Sequence, residues 1–208
     1  MTATRPGPAA TSIYAAQWWL FYGVVVSNKT AEFAQQRMEA LFPMRPGGSW
    51  QTSPFNQVRD RMGMHTRRDL MMQWVALAKT GQYNRVEAAF RGIVKMADVS
   101  NDDPRAWDLD WLEEIPGIGP KTARWFFGLC HAEARVAAID THVLKFLADN
   151  GVPSARRKGT PPAGAIYRKL EAAFLARADS LGLRPTDLDT VVWAVYRNGG
   201  KILIGGNR

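Results

Sequence analysis

The chain contains almost no cysteine. Of its 208 residues, only Cys130 carries a thiol, so an intramolecular disulfide is excluded. A four-cysteine zinc site or iron–sulfur cluster is excluded too, because each needs more thiolates than the chain has. A chain without disulfides suits a reducing compartment, and we expect a cytoplasmic location.

Long apolar runs are also missing. The most apolar stretch, 13–26, is too short to span a bilayer and contains Gln17. The segment 1–10 lacks the charged region followed by an apolar run that marks a signal peptide. We therefore predict neither a membrane span nor a membrane partner.

The sequence shows no strand pattern of convincing length and no internal repeat, whereas apolar residues recur at helical spacing. We predict an all-α fold in which residues 1–11 form a disordered tail and 12–208 form a single unit. The predicted helices cover 13–26, a segment after Thr30, 56–61, 67–79, 84–96, 109–114, 120–130, 139–149, 163–178 and 186–198.

Acidic residues are fewer than basic ones, with 19 Asp and Glu against 27 Lys and Arg, which gives a net charge of +8. Such a surface attracts polyanions, although many basic proteins bind nothing specific. The loop 152–162 holds Arg156, Arg157 and Lys158 between prolines. It is either a solvated loop or part of a binding surface.

The segment Ile115-Pro-Gly-Ile-Gly-Pro-Lys-Thr-Ala123 has the composition of a phosphate-binding turn. Gly117 and Gly119 allow unusual backbone angles and let a phosphate oxygen approach the main-chain amides. A helix opens at Pro120, so its unpaired amides and positive dipole end lie at the same place. Ile115 and Ile118 would anchor the turn to the core; a plain turn between two helices is the alternative.

This segment resembles the helix-hairpin-helix DNA-binding motif, which reads Leu-Pro-Gly-Ile/Val-Gly followed by Lys-Thr-Ala. The resemblance implies sequence-independent contact with the backbone of double-stranded DNA. We expect a metal-free chain with no cofactor, other than a monovalent cation that the hairpin could hold. The residues expected to contact DNA at or near the hairpin are Gly117, Ile118, Gly119, Lys121, Thr122 and Lys145.

Lys121 and Asp140 lie 19 positions apart, and Asp140 stands in Ile-Asp-Thr-His at the start of the next predicted helix. Over 109–147 the chain resembles the helix-hairpin-helix (HhH-GPD) DNA glycosylase superfamily, in its endonuclease III-like and 8-oxoguanine glycosylase-like forms but without an iron–sulfur cluster. The resemblance implies a cleft between two lobes, and we expect a monomer. Lobe one would be 28–135, a helical barrel with the hairpin 115–123, and lobe two would be 12–27 together with 136–208.

The two side chains suit the chemistry of base removal. Expelling a base leaves positive charge on the deoxyribose, which the Asp140 carboxylate would stabilise. A neutral amine at Lys121, favoured by burial near Ile118 and Trp125, could attack the anomeric carbon and permit strand cleavage through a Schiff base. Lys121 as a phosphate contact and Asp140 as a helix N-cap are the alternatives.

An enzyme acting on a base in a duplex must extrude it and fill the gap. By its position after the first helix, Asn28 resembles the wedge residue of such glycosylases; a capping role is the alternative. An aromatic pocket for the base is also predicted, and the alternative is that these residues belong to the core, as aromatic residues at helical spacing usually do. The candidate pocket residues are Trp18, Tyr22, His142, Trp193 and Tyr196.

Three hypotheses follow for function. The first is a DNA glycosylase/AP lyase of base excision repair, associated with the nucleoid. The second is a phage-type enzyme, active in the host cytoplasm, that attaches an amino acid or an amine to a modified thymine such as hydroxymethyluracil and leaves the glycosidic bond intact. The third is a non-catalytic DNA-binding module, and the sequence names no particular base for any of them.

Overall fold

The computed structural model describes residues 12–27, 29–43, 52–63, 68–157, 159–160 and 163–204. These residues are all-α, with ten α-helices, two short 3-10 helices at Pro104–Ala106 and Pro153–Ala155, and no strand. The α-helices are α1 Ile13–Val25, α2 Ala31–Leu41, α3 Pro54–Gly63, α4 Arg68–Leu77, α5 Tyr83–Val99, α6 Leu109–Glu114, α7 Pro120–Cys130, α8 Thr141–Asp149, α9 Ala165–Ser180 and α10 Pro185–Arg197.

The chain divides into two compact units, with the boundary between Ile118 and Gly119. In the first unit, α5 packs against α1, α3 and α4. Aromatic rings fill its core: Phe21 lies 4.4 Å from Phe90 and 5.0 Å from Phe42, centroid to centroid. Ring pairs at such distances add to the hydrophobic stabilisation of the core.

Helix α1 carries one buried polar side chain, Gln17. Its Nε2 donates to the Asp102 carbonyl at 2.7 Å, and its Oε1 accepts from the Phe55 amide at 3.2 Å. A buried amide side chain is tolerated only when it is hydrogen-bonded in this way. Gln17 therefore fixes the start of α3 and the turn before Pro104 against α1.

In the second unit, α8 packs against α9 and α10. The core of this unit is formed by residues spaced along these three helices, among them Val143, Phe146, Tyr167, Phe174 and Val192. Helix α8 contacts both of the other two helices. The N-terminus of α8, where Asp140 lies, is thereby held by the core of its own unit.

The predicted helices are confirmed, with small shifts at their ends. Local capping explains the agreement at α1, where the Ser12 hydroxyl accepts from the Ala15 amide at 3.1 Å. Ile139 was wrongly placed inside a helix: α8 begins at Thr141, and Asp140 is its N-cap. The loop 152–162 is predicted to be exposed, but two of its residues, Val152 and Ala155, are buried.

The lobes assigned from the sequence, 28–135 and 12–27 with 136–208, do not coincide with the two units, and that assignment stays a prediction. The predicted disordered tail, 1–11, lies outside the described residues. Among the helices of the described ranges, none combines the length and the apolar character that a membrane span requires.

Candidate active site

The hairpin segment is a tight turn. The Ile118 amide donates to the Ile115 carbonyl at 3.0 Å, and Gly117 between them has a φ of +83°. A turn with Pro at its second position and positive φ at its third favours glycine there, because a side chain would be strained. Ile115 and Ile118 are both buried, which confirms them as the anchors of the turn.

Helix α5 supports the hairpin at close range. A Cβ atom on Gly92 would lie 2.9 Å from Pro116 Cδ, and one on Gly117 would lie 3.1 Å from Ala89 Cβ. Arg85 donates from Nη1 to the Gly117 carbonyl at 3.1 Å and from Nη2 to the Val24 carbonyl at 2.6 Å. The sequence analysis did not predict these contacts of Arg85 and Gly92, because nothing in the sequence near either residue indicates a contact with a turn some thirty positions away.

Helix α7 begins directly after the turn. Gly119 is the N-cap of α7 and has no side chain to accept from the first amides of that helix. These amides point beyond the helix end and carry the positive end of its dipole, so they can bind an anion. Thr122 is buried, whereas Lys121 is half-buried and forms no hydrogen bond or ion pair with the described residues.

Alanine substitutions at Gly119 and Gly117 are therefore expected to have different effects on stability and on DNA binding. Gly119 has an ordinary φ of −97°, and a Cβ there would meet no described atom within 4 Å. We expect Gly119→Ala to leave the free energy of unfolding unchanged while its methyl group hinders phosphate. Losing one charge-assisted hydrogen bond costs about 1.5–3 kcal/mol, so DNA should bind about ten- to hundred-fold more weakly. Urea unfolding and fluorescence anisotropy measure the two quantities.

Gly117→Ala is the matched control for that experiment. The same methyl group at φ +83° is strained and meets α5, so we expect it to lower the free energy of unfolding by about 1–3 kcal/mol. If Gly119→Ala bound DNA as tightly as the unaltered chain, phosphate contact at this turn would be wrong.

Asp140 is held in one orientation by the backbone of α8. Its Oδ1 accepts from the amides of His142 and Val143, both at 2.8 Å. Its Oδ2 has no hydrogen-bond or ion-pair partner among the described residues. The N-cap role is therefore real, and it leaves one carboxylate oxygen of this half-buried residue without a partner among the described residues.

The residues just before Asp140 are held by α9. Tyr167 Oη donates to the Ala137 carbonyl and accepts from the Ile139 amide, both at 3.0 Å. Glu171 accepts from the Ala137 amide at 2.9 Å. Three hydrogen bonds thus fix 137–139, a segment outside any helix, and with it the position of Asp140.

Glu171 also connects this segment to α7. Its carboxylate accepts from Arg124 Nε at 2.8 Å, and each side chain of the pair is only 12% exposed. The Arg124 guanidinium lies 4.8 Å from the centre of the Tyr167 ring, a favourable cation–π distance. Since Arg124 is one turn along α7 from Lys121, the same cluster holds the helix of Lys121 and the segment of Asp140. Pairs 47 positions apart leave no mark in a single sequence.

Lys121 and Asp140 thus lie in the same unit, at the N-termini of α7 and α8. No ion pair joins them, and each retains a polar group without a partner among the described residues. Lys145 is exposed on α8, two turns or less from Asp140. An amine and a carboxylate that do not neutralise each other remain free to act on a third group.

Two candidates for the base pocket, Trp18 and Tyr22, are buried in the first unit. Their rings stack at 5.4 Å, and burial, with a smaller effect of Glu32, raises the pKa of Tyr22 to about 12. The Trp18 indole N–H is buried without a partner among the described residues. The packing is that of a core pair, and the role of either ring toward a base stays a prediction.

The other three candidates lie in the second unit. Tyr196 is buried and donates from its hydroxyl to Asp149 at 3.0 Å, while Arg197 stacks on Trp193 at 4.8 Å. His142 is half-buried, and its Nδ1 has no partner among the described residues. His142 follows Asp140 by two positions, so it is the candidate that the sequence and the structure place nearest to the carboxylate.

The wedge candidate, Asn28, lies outside the described residues. Within the described part of the chain, no group of three or more His, Cys, Asp or Glu side chains could hold a metal ion. At the hairpin, the Gly117 carbonyl is occupied by the Arg85 guanidinium, so a bound monovalent cation would have to share or replace that contact.

No protein-family model, no curated protein and no solved structure matches this chain.

Proposed function

We propose that this chain is a DNA base-processing enzyme that extrudes a nucleotide from a duplex and acts on it through Asp140, in its most specific form as a DNA glycosylase/AP lyase. The observation that carries the proposal is the state of Asp140. One oxygen is fixed by two backbone amides, and the other has no partner among the described residues. A carboxylate oriented in this way can stabilise positive charge that develops on a deoxyribose without first having to reorganise.

The hairpin supports DNA as the substrate. Its turn packs closely against α5. Helix α7, which follows it in the chain, begins with amides that have no side-chain cap and therefore suit a phosphate. The resemblance of 109–147 to helix-hairpin-helix glycosylases gives the same assignment, and the net charge of +8 favours a polyanion.

Lys121 is proposed as the nucleophile. Its amine has no carboxylate partner among the described residues and lies in the same unit as Asp140. Attack of the neutral amine on the anomeric carbon displaces the base, and ring opening gives a Schiff base between Lys121 Nζ and C1′. Loss of the C2′ proton then expels the 3′ phosphate by β-elimination.

Trapping with borohydride tests this proposal. Duplexes with a panel of damaged or modified bases are incubated with the protein and borohydride, which reduces a Schiff base to a stable adduct. We expect an adduct with the unaltered chain and none above background with Lys121→Gln, because glutamine is not a nucleophile. Lys169→Gln is the matched control, since Lys169 is an exposed lysine of α9 without a carboxylate partner among the described residues.

Each of the other possible results would assign a different function to the chain. Free base released without an adduct would make the chain a glycosylase in which Lys121 contacts phosphate. A nucleoside of altered mass, found with an intact glycosidic bond after reaction with activated hydroxymethyluracil DNA, would make it a base-substituting transferase. DNA binding with neither product across the panel would leave a non-catalytic module and overturn the proposal.

A further inference from the structure

A basic groove begins at the residue after Asp140. It has a volume of about 520 Å³ and lies between α8 and the segment that follows the 3-10 helix Pro153–Ala155. Its floor is apolar, because Leu144 and Ala155 are buried. Its rim is exposed and carries Thr141, Lys145, Arg156 and Arg157.

The cations of this groove have no acidic partner in the part of the chain that the structure describes. Among the described residues, Lys145, Arg156 and Arg157 form no ion pair, and no Asp or Glu lines the groove. Elsewhere in the same unit, arginines do find carboxylates: Arg124 pairs with Glu171, Arg135 with Asp179 and Arg184 with Asp187. Three like charges along one concavity repel each other, and a bound anion would relieve that repulsion.

We propose that this groove binds the phosphodiester backbone of the DNA strand whose nucleotide is processed at Asp140. The inference rests on the proposed function, and it names a second backbone contact, separate from the hairpin. An apolar floor suits deoxyribose, while a rim of lysine and arginine suits phosphates. Because Thr141 lines the groove and follows Asp140 directly, a strand seated there has its sugars beside the carboxylate.

The positive charge of the groove would also offset the repulsion between Asp140 and the DNA phosphates. Asp140 carries a negative charge that repels phosphates a few ångströms away, at a cost that grows as water is excluded. Three cations on the adjacent groove offset this repulsion on the strand that must approach most closely. The groove thus reduces the repulsion between the Asp140 carboxylate and the strand on which it acts. The hairpin amides lie elsewhere on the chain and do not offset this repulsion by themselves.

The test is the salt dependence of DNA binding. The variant Arg156→Gln/Arg157→Gln is compared with Arg168→Gln/Lys169→Gln, whose adjacent exposed cations on α9 do not line the groove. Both variants lower the net charge by two. Each lost phosphate contact lowers the slope of log K against log salt by about 0.9, so we expect the groove variant to lose about two and the control to lose much less. Anisotropy with an unmodified duplex measures the slope without any reaction.

The outcomes separate this inference from the proposed function. Equal slopes for the two variants would overturn the groove and leave the chemistry at Asp140 untouched. Failure of the unaltered chain to bind DNA at all would overturn both. A groove variant that binds DNA normally but no longer binds pyrophosphate or inorganic phosphate would place a free anion in the groove and overturn the strand assignment.

Discussion

Asp140→Asn is expected to lower the rate of base processing by about 10²–10³-fold while the fold is kept. Asparagine is as good an N-cap as aspartate, so the contacts of Oδ1 with the amides of His142 and Val143 should remain. Only the negative charge is lost, and the loss of one preorganised electrostatic contact in an active site has an effect of this size. The rate of product formation under single-turnover conditions measures it, with circular dichroism to verify the fold.

Asp108→Asn is the matched control. Asp108 caps α6 in the same manner, accepting from the Trp111 amide at 2.8 Å, but it lies in the first unit. We expect normal rates for this variant. DNA affinity should be unchanged or slightly higher for Asp140→Asn, since a repulsive charge is removed. Equal rates for the two variants would mean that Asp140 is a cap and no more, and the chemistry would then belong to another residue.

Among the substitutions proposed, Glu171→Ala should lower the free energy of unfolding the most. The change leaves the largely buried Arg124 guanidinium without its carboxylate and the Ala137 amide without its acceptor. Removing one partner of a buried pair costs about 3–5 kcal/mol. With side chains that retain 12% exposure, we expect a loss of about 2–4 kcal/mol in the free energy of unfolding, measured by urea denaturation.

Asp179→Ala provides the comparison on the same helix. Asp179 pairs with Arg135, but these side chains are 53% and 61% exposed. Solvent screens such a pair, so its loss should lower the free energy of unfolding far less than the loss of Glu171 does. Hydrogen bonding to Arg135 holds the pKa of Asp179 below its usual value, yet that exposed group adds little to stability. Similar losses for the two variants would show that the contact of Glu171 with Arg124 is not a structural link.

The cluster of Glu171, Arg124 and Tyr167 should also affect the reaction. It positions 137–139 and α7, so Glu171→Ala loosens both the carboxylate and the helix that carries Lys121. Displacements of about 1 Å at reacting groups can reduce rates about 100-fold. The rate therefore falls even at temperatures where the variant is fully folded, whereas Asp179→Ala keeps the normal rate.

Much of the local structure could be read from the sequence, because it depends on neighbours. Ser12 caps α1 through an amide three positions away, and Pro116 with Gly117 sets the backbone of the hairpin turn. Helical spacing of apolar residues located all ten helices of the described ranges. Helix ends were less certain: the helix predicted over 67–79 ends at Leu77, and Ile139 lies outside α8 because Asp140 caps that helix.

The supports of the site could not be found in this way. Arg85 reaches Gly117 across 32 positions and Arg124 reaches Glu171 across 47. An arginine in a basic chain has many carboxylates and carbonyls that it could meet, and a single sequence does not say which one. The same holds for the groove: Lys145 and Arg156 belong to different segments, and only folding brings them to one rim.

The sequence by itself determined the helices, the hairpin turn and the residue types of the proposed chemistry, since backbone angles, caps and periodicity are set within a few positions. The tertiary structure alone decided that Asp140 keeps one oxygen without a protein partner in the described chain and that α9 holds the segment before it. It also decided that three cations line one groove, which begins at Thr141. These depend on which side chains meet when helices pack, and that choice is made by the whole core.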